Sequence, residues 1–263
     1  MGSDYAVFFM PGGATMQFGL LPLNFVGEGE TAAYIDTSIW SYKAYTEAAR
    51  CRTVSIAFDG RALPAKYARV PKNGEFTEPK GAKYLLYCQN NTVEGTTFWA
   101  PPETSLPLIG DATSDIFSRP WDFTKHAMVL AAGQKNLGAS GASLIVARKD
   151  FLASATQKLP QILRFEDHAN ARSILNTPPT FAVRVMVSKV GPLVAIWTEP
   201  PAGRRTIQVN SRDSSAARRL SLFTGCPDST ASGDRPLPVD GSTRRTMTGG
   251  TTPVMRPISV VVA

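Results

Sequence analysis

The chain has 263 residues, of which 43% are hydrophobic and 19% charged, with a formal net charge of +7. That length suits one large α/β domain or two smaller ones with a sizeable core. No apolar run approaches a membrane span, and Met1-Gly2-Ser3-Asp4-Tyr5 lacks the basic and apolar regions of a secretion signal. The charge excludes a nucleic-acid-binding body: after Gly203 there are nine arginines, four aspartates and no Lys or Glu, so the tail holds five of the seven surplus charges.

In chain order, Tyr5 to Met10 reads as a buried strand. It runs into Pro11-Gly12-Gly13-Ala14-Thr15, and Met16 to Leu23 reads as a helix with Thr15 near its start. Strand, glycine loop and helix start can cradle a phosphate on backbone N–H groups, or make a plain turn. No Gly-Lys-Ser/Thr follows, so it is not a Walker loop. Ala32 to Asp36 is a strand and Thr37 to Arg50 a helix that opens with Trp40, whose ring is either core or a platform for an aromatic ligand. Thr53 to Ala57 is a further strand; Asp59 to Lys83, with its prolines and glycines, is surface loop.

Tyr84 to Cys88 is a buried strand ending in Gln89-Asn90-Asn91-Thr92. The sequon at Asn90 has no secretion signal to give it meaning. Pro107 to Gly110 is a strand that ends on Asp111-Ala112-Thr113-Ser114. The spacing predicts an α/β fold with a mostly parallel sheet flanked by helices. In such sheets ligands gather at the carboxyl ends of strands, where Thr15, Trp40, Thr92, Asp111 and Lys135 all fall.

Ala127 to Leu130 and Leu144 to Ala147 are two apolar runs around Ala131-Ala132-Gly133-Gln134-Lys135-Asn136-Leu137-Gly138. A lysine at such a strand end is either a solvated loop residue or an amine held partly out of water with a depressed pKa, ready to form a Schiff base. Asp111 likewise reads as a cap or turn residue, or as a site carboxylate. Asp150 to Lys158 is predicted helical, 160–176 mixed, and Asn176-Thr177-Pro178-Pro179 a rigid exposed turn. The cysteines Cys51, Cys88 and Cys226 are odd in number and far apart, which fits reduced thiols in the cytoplasm and gives no zinc spacing.

Six stretches in this order resemble phosphoserine aminotransferases, pyridoxal-phosphate enzymes of the aspartate-aminotransferase-like fold. They are Gly12 to Phe18 with Pro22-Leu23-Asn24, Trp40, Asn90 to Gly95, Asp111 to Ser114 with Ser118-Arg119-Pro120, Gly133 to Gly138, and Asn176 to Phe181. The resemblance covers about residues 5–182. It implies that Lys135 is the Schiff-base lysine and the acid and base of the proton transfer. It implies that Asp111 pairs with the pyridinium nitrogen, Trp40 stacks on the ring, and Thr92 bonds the phenolic oxygen. Ala14, Thr15 and Gln134 would hold the phosphate. Asn176 and Thr177 would reach the phosphate of a second subunit, so a homodimer with a shared site is expected. The implied reaction exchanges an amino group between L-glutamate and 3-phosphohydroxypyruvate in serine biosynthesis, with 4-phosphohydroxythreonine as a second product.

The family's N-terminal substrate segment and C-terminal domain have no counterpart in this sequence, so residues 1–183 are expected to be the cofactor-binding large domain. Residues 184–263 are expected to form an irregular or disordered tail, either translated out of frame or a basic arm for acidic partners. An inactive remnant of the enzyme is the competing reading of the whole. A nucleic-acid binder ranks last, because the tail has only Phe223 as an aromatic.

Overall fold

The computed structural model describes residues 4–119, 121–155 and 158–188. The centre is a seven-stranded sheet. Its strands are β1 (Tyr5–Pro11), β2 (Thr31–Asp36), β3 (Val54–Asp59) and β4 (Ala82–Cys88), then β7 (Leu108–Asp111), β8 (Met128–Ala132) and β9 (Ala142–Arg148). A two-stranded hairpin, β5 (Asn90–Asn91) with β6 (Thr96–Thr97), stands apart from it. The order across the sheet is β1-β9-β8-β7-β4-β2-β3. β9 is antiparallel to both its neighbours, and every other pairing is parallel. The expected α/β sheet is therefore found, with one reversed strand inside it.

Burial on both faces explains why β4 and β8 read as unbroken apolar runs rather than alternating ones. The period of two still sorts the side chains. Met128, Leu130, Ile145 and Ala147 join one cluster with Phe18, Leu21 and Phe25 of helix α1 (Ala14–Phe25). Val129, Ala131, Leu144 and Val146 join a second cluster with Ala182 and Met186, which lie on a helix over 180–188. Phe25 stacks on Phe151 at 4.3 Å and on Phe165 at 5.9 Å, which docks two short helices, α3 (Lys149–Ala153) and α4 (Phe165–Asn170), beside α1. Among the described residues no helix is long and apolar enough to cross a membrane.

Three expectations need correction. The helix predicted over 150–158 closes at Ala153 with Ser154 as its cap: the Ser154 amide and hydroxyl bond back to Asp150 and Phe151, and Ala155 beyond it packs against the same cluster as Phe151 and Leu152. The helix predicted over Thr37–Arg50 is α2 (Ile39–Ala49); Thr37 and Ser38 stay extended so that Ser38 can cap it. The tail expected from 184 starts too early: residues 184–188 continue the helix over 180–188, with Met186 buried in the second cluster, and from 189 onward the tail lies outside the described residues.

Candidate functional site

The carboxyl ends of β1, β2, β4, β7 and β8 share one edge of the sheet, and a cleft of about 440 Å3, open to solvent, lies along it. Ala14, Thr15, Trp40, Asp111, Gln134 and Lys135 line the cleft.

They reach it from four strand ends: Ala14 and Thr15 after β1, Trp40 after β2, Asp111 on β7, and Gln134 and Lys135 after β8. At the end of β1 the chain turns through Gly12, whose φ of +86° brings the backbone so close to Met16 that an added Cβ would meet its Sδ at 2.4 Å. Helix α1 then starts at Ala14 with no side chain capping it. Its first-turn N–H groups and positive end face the cleft, a setting that favours an anion. Gln134 comes from the opposite wall; its Oε1 lies 3.7 Å from where a Gly13 Cβ would stand.

At the end of β2, Ser38 accepts hydrogen bonds from the amides of Trp40 and Ser41, at 3.2 and 3.1 Å, and so starts α2 with Trp40 in its first turn. Trp40 is half-buried, and its Nε1 is buried with no hydrogen-bond partner. Neither core packing nor full exposure describes it. Lys135 Nζ lies 5.4 Å from the ring centroid and donates to Thr92 Oγ1 at 2.7 Å. Thr92, on the β5–β6 hairpin, thus meets the lysine although it does not line the cleft itself.

Lys135 follows β8 in a tight turn over Gly133–Leu137, with φ −112° and ψ −113°. Only glycine fits at position 133, where a Cβ would lie 2.1 Å from the Ala139 carbonyl. The lysine side chain is exposed, together with Gln134 and Asn136. Of the two readings open for Lys135 from sequence, the solvated one describes its side chain: the turn after β8 leaves residues 134–136 exposed.

Asp111 is buried. Its Oδ1 accepts the Thr113 N–H at 2.9 Å and the Thr113 hydroxyl at 2.5 Å. Burial pushes its carboxyl above the usual carboxylate range, and the Thr113 bonds and the charge of Lys135 pull the other way. Oδ2 receives only the weak Cys88 thiol, 3.8 Å away. Burial holds that thiol protonated, well above its ordinary range.

Asn176 and Thr177 are not in the cleft. Both are exposed, and the only hydrogen bond between them is Asn176 Nδ2 to the Thr177 carbonyl at 3.5 Å. Conversely, Phe18, Cys88, Asn90, Thr113 and Ser114 line the cleft with no role assigned from sequence. Thr113 and Ser114 were open to inference, since a Thr two residues after an Asp commonly closes a local turn. Cys88 and Phe18 carry no such signal; strand pairing and helix phase bring them there.

No family model matches the chain. Phosphoserine aminotransferase from Niallia circulans is 39% identical over 211 residues, 80% of this chain and 56% of the relative. The solved phosphoserine aminotransferase from Bacillus circulans subsp. alkalophilus superposes with a TM-score of 0.67 at 38% identity, covering 73% of this chain and 54% of that one. Over the shared stretch the chain is homologous to the phosphoserine aminotransferases. The pyridoxal-phosphate-bound phosphoserine aminotransferase from Trichomonas vaginalis has a TM-score of 0.65 at 31% identity, covering 73% of this chain and 55% of that one. The chain spans about half the length of the curated relatives it matches. The Niallia circulans match reaches beyond the 5–182 span that the motifs carry.

Proposed function

We propose that this chain binds pyridoxal phosphate in the cleft and exchanges an amino group between L-glutamate and 3-phosphohydroxypyruvate, giving O-phospho-L-serine. The observation that carries the reading is a convergence. A buried carboxylate, an amine and an aromatic face meet at one strand edge, opposite an uncapped helix start, in a homologue of phosphoserine aminotransferases. The donor set fits the cofactor's parts. An anion suits the α1 amides and Gln134; a flat ring suits Trp40; a cationic ring nitrogen suits the one Asp111 oxygen that Thr113 leaves free.

Each residue then has one task. The amides of Ala14 and Thr15, with the Gln134 side chain, bind the phosphate. Trp40 stacks on the ring and shields it from water. The Thr92 hydroxyl bonds the phenolic oxygen. Asp111 keeps a proton on the ring nitrogen. The Lys135 amine would hold the cofactor and is placed to act as the acid and base of the proton transfer. When bound, pyridoxal phosphate supplies the sink for the electrons that this proton leaves behind.

Asn176 and Thr177 belong to the phosphate of a partner subunit in the same proposal, which makes the working form a homodimer. Their exposure and their distance from their own cleft support that reading, as do the exposed Ile174 and Phe181 beside them, at 73% and 75%. A cytoplasmic location, a cofactor-binding unit over residues 1–183 and a separate tail belong to it too, with the tail starting beyond the helix over 180–188 because Met186 packs in the second core cluster; 4-phosphohydroxythreonine is the second product. The test is the visible absorption of the purified chain with added pyridoxal phosphate, beside Lys135→Ala. A band that needs Lys135 and bleaches with L-glutamate is the expected result. The same spectrum in both proteins overturns the reading and leaves the chain an inactive relative of the enzyme.

A further inference from the structure

Two strand ends have to be held in register for this site to work: that of β7, which ends on Asp111, and that of β8, which leads into Lys135. One side chain spans them. The Ala132 N–H, at the last residue of β8, donates to Thr113 Oγ1 at 3.1 Å, and the same hydroxyl donates to Asp111 Oδ1 at 2.5 Å. We propose that Thr113 is a positioning residue, whose hydroxyl fixes the orientation of the Asp111 carboxylate and ties it to the strand end that carries Lys135. The inference rests on the proposed pyridoxal-phosphate site and deepens it.

The bonds run in one direction. A hydroxyl has one proton to give. Because the Ala132 amide occupies an acceptor position on Oγ1, the hydroxyl proton points to Asp111. Oδ1 therefore takes two donors, the Thr113 N–H and O–H, both of which favour the charged carboxylate over the neutral one. The carboxylate cannot tilt without giving up both, so Oδ2 stays beside Cys88, a cleft-lining residue whose thiol, 3.8 Å away, is its hydrogen-bond partner among the described residues. The tie is buried, with Thr113 6% and Ala132 0% exposed, so water does not replace a lost bond. In-phase pairing adds to it: the Ala112 amide donates to the Leu130 carbonyl at 2.8 Å beside it. Ala112 and Thr113 thus fasten β7 to β8 just short of the lysine turn.

The experiment uses the full chain as wild type, Thr113→Val and Thr113→Ser. Valine keeps the shape and removes the hydroxyl; serine keeps the hydroxyl. Amide hydrogen exchange without cofactor is read first. Exchange at Ala132 rises about tenfold or more in Thr113→Val relative to the other β8 amides, and Thr113→Ser restores it. Pyridoxal-phosphate affinity, followed by quenching of tryptophan fluorescence, is read second. It falls about tenfold in Thr113→Val, with Thr113→Ser close to wild type.

A double-mutant cycle separates positioning from general damage. In an Asp111→Asn background, Thr113→Val costs little further affinity, because the hydroxyl acts through the carboxylate; an equal loss in both backgrounds overturns the proposal. Unchanged Ala132 exchange in Thr113→Val also overturns it. A wild-type chain with no Lys135-dependent band defeats the pyridoxal-phosphate reading instead, and the exchange result then decides the tie by itself.

Discussion

The Glu94 carboxylate, in the turn of the β5–β6 hairpin, accepts the Ile39 amide at the start of α2 at 2.8 Å. Beside it, Asn91 Nδ2 donates to Thr37 Oγ1 at 3.2 Å. The first turn of α2 is therefore capped from two sides, by its own Ser38 and by an acid from the hairpin. Consequently the helix start that carries Trp40 and the hairpin that carries Thr92, both of which meet Lys135, are tied together. A carboxylate at a helix start also meets the positive end of the helix. Glu94→Ala is expected to lower stability by about 1 kcal/mol and Glu94→Gln by about half of that, read as urea-unfolding midpoints. Equal losses in the two variants would mean that the hydrogen bond is not what holds the hairpin.

Trp40 is half-buried with an unpaired Nε1, so under the proposed function its ring would serve the cofactor more than the core. Trp40→Ala should weaken pyridoxal-phosphate binding about tenfold, the worth of an aromatic contact of roughly 1–1.5 kcal/mol. Its unfolding midpoint should change little. Equilibrium dialysis of cofactor against each protein measures the first, and a large fall in midpoint with unchanged affinity would reverse the assignment.

Under the proposed function, Asp111 would trade stability for its place in the site. Burial raises its folded pKa above the unfolded value, so the charged form at neutral pH is a penalty, and that penalty is relieved as pH falls through the folded pKa. Asp111→Asn removes the charge while its side-chain oxygen can still accept from Thr113. The cofactor-free variant is expected to be more stable than wild type at pH 7 by about 1 kcal/mol, while amino transfer falls by about a hundredfold or more. A destabilised Asp111→Asn chain would show that the carboxylate is needed for the fold.

His126 makes stability depend on pH in the opposite sense. It is buried, with Nε2 against the Tyr87 hydroxyl at 2.8 Å, Nδ1 at 3.3 Å from the Asp122 carbonyl and Lys125 next to it. Burial pushes its pKa down from 6.5 to about 4. The unfolded chain takes the proton first, so this contribution is complete above pH 6.5 and is lost as pH falls towards 4. The loss amounts to about 3 kcal/mol. The unfolding free energy of wild type minus that of His126→Phe, measured from pH 7.5 to 4, should fall by that order; a flat difference would contradict it.

Much of the fold was legible because its signals are local. Tyr84 to Cys88 and Ala127 to Leu130 are apolar runs of strand length, and Gly12-Gly13 breaks the chain between a strand and a helix. Less was legible where a distant partner decides. No residue of Ala142 to Arg148 announces that β9 runs antiparallel between β1 and β8. The apolar run alone does not say which way it points. The helix predicted over 150–158 ends at Ala153 because Ser154 turns its amide and hydroxyl back to the Asp150 and Phe151 carbonyls.

By itself, then, the sequence determined the α/β class and the residue types at the strand ends: an amine at 135, a carboxylate at 111, an indole at 40 and a glycine turn at 12. Those choices are written in periodicity and in the short-range chemistry of each turn. Only the tertiary structure decided that they converge, that Thr113 and Cys88 stand among them, that Lys135 lies exposed over Trp40, and that Asn176 and Thr177 stay outside. Convergence depends on strand order and register, which arise from many weak packing contacts between residues far apart in the chain, and no local stretch encodes them.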